Sequence, residues 1–406
     1  MTRSKRKLIF CWPYRELGGA QIYLMAIMKA ARADWDVSVV LPRTSGRDIF
    51  TFLDEMDVPY EVVNAFADLD PAPSIRRKLQ RQFRRILVEI SIFRLLLKYN
   101  LQEGILHIET APWQSWVLLT ALACRKANVF LNLHNTPTSP SSWRGLIWRL
   151  RMQFVSRLPG FHIFTSNLDT KNHFKSSFET AFWEKIKIVY TSISPDEISR
   201  TVGSPPSRSD LRSLHSIDPN AFVVLCVGQF IDRKGRWVFL DAAKTIKNAD
   251  PTILFLWLSP NSPNDADRKR IDEYGLSGTF RLVLASEVGQ TREDILAFYK
   301  VANIFCLPSF VEGVPGALLE AMAIGIPSIS TNVNAIPEAI DDGDTGVLIA
   351  PGDPKQLRDA ILRLRTDLAL RERLATAGSK FVLDKFDQRS SAAIALEAYK
   401  ECFPND

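Results

Sequence analysis

Cysteine is scarce and scattered in this sequence. Cys11, Cys124, Cys226, Cys306 and Cys402 are odd in number, far apart and without CxxC spacing. That argues against both a disulfide framework and a zinc site, and it suits a reducing compartment, with the cytoplasm as the default. No run of 18 apolar residues occurs; the nearest candidate, Ile86 to Leu97, is broken by Glu89 and Arg94, so no membrane-spanning helix is expected. The apolar stretch Leu8 to Trp12 follows a basic cluster (Arg3, Lys5, Arg6, Lys7) but is too short for a signal-peptide core and ends at Pro13. It reads as a first strand. There is no short internal repeat and no low-complexity tract. Nor is there an Asp-x-Asp dyad at a strand end of the kind that holds Mg²⁺ across a diphosphate, since Asp341-Asp342 abuts Gly343 and fits a turn. No metal and no cofactor are expected.

What is present fits two α/β domains: 406 residues, 46% hydrophobic and 24% charged, are too many for one compact core and have the balance of a soluble globular chain. Short β-rich runs alternate with amphipathic stretches, the pattern of βα units building parallel sheets. Strands are predicted at 7–11, 36–41, 104–108, 129–133, 161–165 and 186–190. A second series is predicted at 222–227, 253–258, 281–284, 304–307, 328–330 and 347–349, with helix from Pro354 to the end. The Ser, Pro and Gly composition of 201–210 predicts the inter-domain linker. The expected organisation is therefore two α/β domains, 1–200 and 201–385. The last segment, 386–406, is expected to return to the first domain. Ligands of such sheets bind at the carboxyl ends of the strands.

Four places there carry residues suited to chemistry. In Phe310-Val-Glu-Gly-Val-Pro-Gly-Ala-Leu-Leu-Glu320 a strand leads through two turn glycines into a helix. The amides of Gly316, Ala317 and Leu318 would open that helix and form a ready phosphate site. Glu312 and Glu320 would flank it, and carboxylates accept paired sugar hydroxyls. Capping and solvated roles are the bland alternative for both. In Gly228-Gln-Phe-Ile-Asp-Arg-Lys-Gly235, Arg233 and Lys234 sit at a strand-to-helix turn, where they can neutralise a diphosphate leaving group. Gly18-Gly19 follows the first strand and lets backbone approach a ligand closely. His134 ends a predicted strand, whereas His107, inside one, reads as a packed core residue.

These residues resemble the retaining GT-B glycosyltransferases of family 4, the glycosyl transferases group 1. Glu312 and Glu320 stand at that family's Glu-x(7)-Glu spacing. Ala321-Met-Ala-x-Gly-x-Pro327, Ile336-Pro-Glu338 and Asp342-Gly-x-Thr-Gly346 follow its pattern in order. The resemblance is strong over 222–353 and looser before it. It implies a GT-B fold, α/β, with two Rossmann-like domains facing across a cleft. It also implies a retaining, metal-independent hexosyl transfer from a nucleotide-sugar donor, a UDP- or GDP-sugar, to a sugar or lipid-linked acceptor, as in polysaccharide biosynthesis. By the same resemblance Glu312, His134 and Lys234 are the catalytic set, with His134 contacting the transferred sugar. Arg233, Gln229, Gly316, Ala317, Leu318 and Glu320 bind donor, and Gly18 and Gly19 form the donor phosphate or acceptor loop. Several positions depart from the pattern. Gln229 replaces an arginine, Thr191-Ser-Ile-Ser194 replaces Asn-Gly-hydrophobic-Asp, and Asn334-Ala335 replaces Gly-Gly. They motivate an alternative: an inactive sugar-nucleotide-binding or scaffold protein with the same fold.

Basic charge is concentrated in the N-terminal half. Residues 75–98 hold eight Lys and Arg against Glu89, and 143–157 hold four Arg and no acid, in a chain whose net charge is only +6. Phe83, Ile86, Leu87, Ile90, Phe93 and Leu97 recur at helical spacing, with Arg77, Arg81, Arg84 and Arg85 largely elsewhere. Two compatible readings follow: the apolar face packs on the first sheet, and the charges meet an anionic membrane surface, so peripheral contact with the cytoplasmic face of a membrane is expected. The charge lies on amphipathic helices and no nucleic-acid module is recognisable, so no nucleic-acid partner is expected.

Overall fold

The computed structural model describes residues 5–12, 19–63, 74–109, 115–134, 143–247 and 249–404. They form two compact units, Met1–Tyr190 with Arg389–Asp406, and Thr191–Gln388.

The first unit is a seven-stranded parallel sheet. Its strands are β1 (Arg6–Cys11), β2 (Trp35–Pro42), β3 (Tyr60–Val63), β4 (Ile105–Ile108), β5 (Asn128–Leu133), β6 (Phe161–Thr165) and β7 (Lys187–Ile188), in the order β3-β2-β1-β4-β5-β6-β7. Successive side chains on a strand point to opposite faces, and both faces here are covered. Leu8, Phe10, Val37 and Val39 pack with Tyr23, Leu24, Ile27 and Met28 of the helix Gly19–Ala31. Ile9, Cys11, Leu106, Ile108 and Leu131 pack with Leu118, Leu119 and Leu122 of Trp116–Cys124 and with Met152 and Val155 of Trp143–Ser156. The last helix, Gln388–Lys400, brings Ala392, Ala395, Ala398 and Tyr399 into the first of these cores. β3 was not anticipated: it is an edge strand of only four residues, Tyr-Glu-Val-Val, too short to show a period, and only Val63 of it is buried.

The second unit repeats the plan with six strands: β8 (Phe222–Val227), β9 (Ile253–Ser259), β10 (Phe280–Leu284), β11 (Ile304–Leu307), β12 (Ser328–Thr331) and β13 (Val347–Ile349). All are parallel, in the order β10-β9-β8-β11-β12-β13. In both sheets the strand order reverses beside the first strand, between β1 and β4 and between β8 and β11. Such a switch point opens a crevice at the strands' carboxyl ends.

The division between units falls at Tyr190/Thr191, ten residues before the expected boundary at 200/201, and at Gln388/Arg389 instead of 385/386. The cause is a helix, Pro195–Gly203, with Ser194 as its N-cap and Pro195 in its first turn. It buries Ile198, and its Glu197 pairs with Arg292, a residue of the second unit. The Pro-rich segment 201–210 therefore connects two helices inside that unit.

The basic helix spans Ile75–Leu96, and its two halves differ. Towards its C-terminus Val88, Ile92, Phe93 and Leu95 pack against the sheet's core, while Leu79, Phe83, Ile86, Leu87 and Ile90 are exposed. Packing on the sheet accounts for only the second half of the apolar stripe. Among the described residues no helix is long and apolar enough to cross a membrane.

Candidate functional site

The second unit gathers its predicted residues at the β8/β11 switch point. Beyond β8 the chain turns through Gly228 to a short 3₁₀ turn, Asp232–Lys234, and Gly235 starts the helix Arg236–Ile246. Gly235 has φ +75°, and a Cβ there would lie 1.8 Å from the Pro308 carbonyl oxygen, so the two loops touch through backbone. Phe310 N–H donates to the Arg233 carbonyl at 2.8 Å across the same seam. This apposition brings Lys234 and Arg233 to Glu312. Lys234 Nζ lies 2.6 Å from Glu312 Oε1, with the two side chains 13% and 7% exposed. Arg233 Nη1 lies 3.3 Å from Glu312 Oε2 and also donates to the Val311 carbonyl. Ser309 Oγ donates to Glu312 Oε1 at 2.8 Å. A nearly buried carboxylate is thus held by two cations and a hydroxyl, the pairing that buried charge requires. Gln229 is exposed, and its backbone carbonyl accepts from Ile231 N–H.

The helix after this loop is Gly316–Ala323, with Pro315 as its N-cap. Of the three amides expected to face a ligand, Leu318 N–H is already spent on the Pro315 carbonyl at 3.0 Å. Pro315 takes the cap position and turns its carbonyl inward, which leaves Gly316 and Ala317 as the amides of the helix mouth. Around Gly316 there is open space, with nothing within 4 Å of where a Cβ would stand.

Glu320, one helical face further on, sits in a different network. Its Oε1 pairs with Arg292 Nη2 at 2.8 Å, and its Oε2 accepts from Tyr299 OH at 2.8 Å. Arg292 in turn bridges to Glu197 at 3.0 and 3.1 Å. The two carboxylates raise the Arg292 guanidinium above its ordinary value against its burial, and burial followed by the Glu320 charge raises the Tyr299 phenol. Glu320 keeps one lone pair per oxygen for a ligand. A cavity of about 810 Å³ lies elsewhere in the unit, lined by Lys300, Asn303, Pro327 and Arg371, and shares no residue with this cluster.

In the first unit, His134 stands one residue past β5 and Glu109 one past the neighbouring β4. Glu109 is 1% exposed; its Oε2 lies 2.8 Å from His134 Nε2, and its Oε1 accepts from Asn132 Nδ2 at 2.5 Å. Burial would raise this carboxyl, but the charge and hydrogen bond of His134, then His107 and Asn132, more than reverse that and hold it below the ordinary carboxylate value. His107 is wholly buried against Phe10, Phe164 and Tyr399, hydrogen-bonded through Nδ1 to Tyr399 OH. Desolvation lowers its pKa to about 4, so it is neutral. Gly19 begins the helix Gly19–Ala31 after β1, while Gly18 lies outside the described residues. Among the described residues no cluster of His, Cys, Asp and Glu has the make-up of a metal site.

Residues 221–367 match the family model described as glycosyl transferases group 1. Among relatives, the chain is 29% identical over 213 residues to a D-inositol 3-phosphate glycosyltransferase of Paenarthrobacter aurescens, 52% of this chain and 51% of that one. It is 29% identical over 176 residues to the capsular polysaccharide biosynthesis glycosyltransferase CapM of Staphylococcus aureus, 43% and 45% of the two chains. The matches span about half the length of each of these relatives. The fold extends further: a glycosyltransferase of Rickettsia africae superposes with TM-score 0.79 over 100% of both chains at 17% identity. HepE of Anabaena, solved with UDP and glucose, superposes with TM-score 0.76 over 97% of this chain and 99% of its own at 17% identity. The architecture is that of GT-B glycosyltransferases.

Within the second unit, the structure unites Lys234 and Arg233 with Glu312, four residues before the helix Gly316–Ala323, and sets Glu320 in its own ion-pair network. The sequence reading missed Ser309, Arg292, Glu197 and Tyr299 there, and Glu109 and Asn132 in the first unit. Only Glu109 carried a usable sign, an acidic residue directly past a strand's carboxyl end. The others are recognisable by their contacts alone.

Proposed function

We propose that the chain transfers a hexose from a nucleotide-sugar donor to a hydroxyl acceptor with retention of configuration. The observation that carries this reading is the buried Glu312 held by Lys234 and Arg233, four residues before the helix that begins at Gly316 and Ala317. Two cations gathered on a carboxylate in the loop that leads into a helix N-terminus suit a leaving diphosphate, whose developing charge needs preorganised partners. Lys234 and Arg233 neutralise that charge, so the transfer runs without a metal. Arg233 takes the place of the family arginine that Gln229 lacks. Glu312 accepts hydroxyls of the transferred sugar, and Glu320 accepts those of the ribose through its remaining lone pairs. For the first unit we assign His134 to the transferred sugar, as the family resemblance implies. Titration with UDP-, GDP- and ADP-sugars, followed by turnover, tests the reading: one donor should bind and be consumed, and Glu312→Ala should abolish consumption. Binding without consumption by the unaltered protein would favour a sugar-nucleotide-binding scaffold instead.

We further infer a lipid-linked acceptor or growing polysaccharide at a membrane surface. The support is the exposed apolar row Leu79, Phe83, Ile86, Leu87 and Ile90 on a helix that also exposes Arg76 and Arg77. Trp116 is exposed on the helix packed beside it, and Leu146, Leu150 and Phe154 on the next helix of the same sheet face, with Arg151 over the Trp116 ring. An amphipathic, basic and aromatic surface of this kind fits anionic headgroups.

A further inference from the structure

The pair formed by His134 and Glu109 has a consequence for which atom of the histidine meets a ligand. His134 is fixed at three points. Its carbonyl oxygen accepts from Ser166 Oγ at 3.0 Å and Asn167 Nδ2 at 3.1 Å. Its ring meets Tyr23 edge-on at 5.9 Å between centroids, and its Nε2 faces Glu109 at 2.8 Å. Glu109 itself has no freedom to turn away: it is 1% exposed, and Asn132 holds its other oxygen. His107, beside it with Nε2 3.7 Å from Glu109 Oε1, is neutral and locked by Tyr399.

An ionised carboxylate accepts hydrogen bonds and cannot donate. A ring nitrogen 2.8 Å from it must therefore carry the proton, whether the imidazole is neutral or cationic. We propose that Glu109 is a positioning residue that pins the Nε2–H form of His134, so that Nδ1 is the nitrogen left for a sugar hydroxyl. This rests on the glycosyl-transfer reading for the identity of the hydroxyl, but not for the tautomer. Carboxylates do the same for histidines that bind metals or act as bases, fixing both ring orientation and tautomer.

The test separates the tautomer from turnover. Long-range ¹H–¹⁵N spectra of the full chain with ¹⁵N-labelled histidine, assigned with His134→Gln, report which ring nitrogen of His134 carries hydrogen in the absence of donor. The unaltered protein should show Nε2 protonated. Glu109→Leu removes the acceptor, so His134 should shift to a mixture of both tautomers, and donor turnover should fall mainly in kcat, by about ten- to a hundred-fold. Glu109→Gln should behave differently. Asn132 can rotate its amide to accept from the NH₂ introduced there, which leaves the carbonyl oxygen of the same new amide to accept from Nε2–H. The single tautomer and most of the activity should then return. A cost arising only from lost charge would leave the Gln and Leu variants equally impaired, and that overturns the proposal. So does Nδ1–H as the form of His134 in the unaltered protein, or an unchanged tautomer in Glu109→Leu. If the Leu variant fails to fold, the Gln variant and the unaltered protein still decide the matter. If the unaltered protein consumes no donor at all, the glycosyl-transfer reading fails while the spectra still judge Glu109.

Discussion

Replacing Lys234 by alanine should destabilise the second unit before it touches catalysis, and a second substitution should undo only the first effect. Lys234 Nζ lies 2.6 Å from Glu312 Oε1 in a pair that is 13% and 7% exposed. Removing one partner of a buried pair costs about 3–5 kcal/mol, because the other charge is left desolvated. Here Glu312 keeps Ser309 at 2.8 Å and Arg233 at 3.3 Å, the latter 43% exposed and weakened by water. These leave an expected loss of about 2–3 kcal/mol, or about 5–10 °C in Tm for a unit of this size. In Lys234→Ala/Glu312→Gln the orphaned charge is gone while the amide can still bond Ser309, so half or more of the lost stability should return. Activity should not, since neither the diphosphate cation nor the carboxylate is restored. Scanning calorimetry on the unaltered protein, both single variants and the double variant supplies the cycle, with donor turnover measured on the same samples. Additive losses, with the double variant less stable than Lys234→Ala, would refute the argument that Glu312 depends on Lys234 for its burial.

Four further outcomes are expected. Gly235→Ala should lose most donor turnover and several kcal/mol, about 3 or more, because φ is +75° and the new methyl would stand 1.8 Å from the Pro308 oxygen; urea unfolding measures it. Acid should weaken the first unit: His107 has its pKa lowered to about 4 from 6.5, so its contribution is complete above pH 6.5 and is lost as pH falls towards 4. That shift corresponds to about 3 kcal/mol, and urea midpoints against pH should flatten over this window in His107→Gln. Binding to vesicles should rise with anionic lipid and fall as salt shortens the Debye length from about 10 Å at 0.1 M to about 3 Å at 1 M. Changing Arg77, Arg81, Arg84 and Arg85 to Gln together should reduce it without altering the circular dichroism spectrum, and equal binding by both proteins would leave a soluble acceptor. EDTA should leave turnover unchanged, whereas a loss restored by Mg²⁺ would show that Lys234 and Arg233 do not carry the diphosphate charge alone.

Much of the fold could be read from local pattern. Twelve of the strands among the described residues fall at predicted runs, most of them short and largely apolar as the inner strands of a sheet covered on both faces require. Lys234, Glu312, Glu320 and His134 were visible because strand ends and helix starts carry their own marks, glycine, proline and a polar residue after an apolar run. The edge strand Tyr60–Val63 left no such mark. The domain boundary was misplaced because Ser and Pro around 201–210 signal a turn, and a turn between two helices of one unit looks the same as a linker between two units.

What the sequence by itself determined was therefore the parallel α/β plan, the loops that carry polar residues to the sheet edges, and the family pattern of residues 312–346. What only the tertiary structure decided was which of those residues meet. Lys234 and Glu312 are 78 positions apart, and Glu109 and His134 are 25 apart. Each pair is joined because a parallel sheet sets the carboxyl ends of neighbouring strands side by side, however much chain lies between them. Burial then does the rest: a carboxylate at 1% or 7% exposure cannot rely on water, so it binds the cation or hydrogen-bond donor that the adjacent strand end presents. Sequence spacing records none of this, because the helices that span those intervals can vary in length without moving the strand ends they connect.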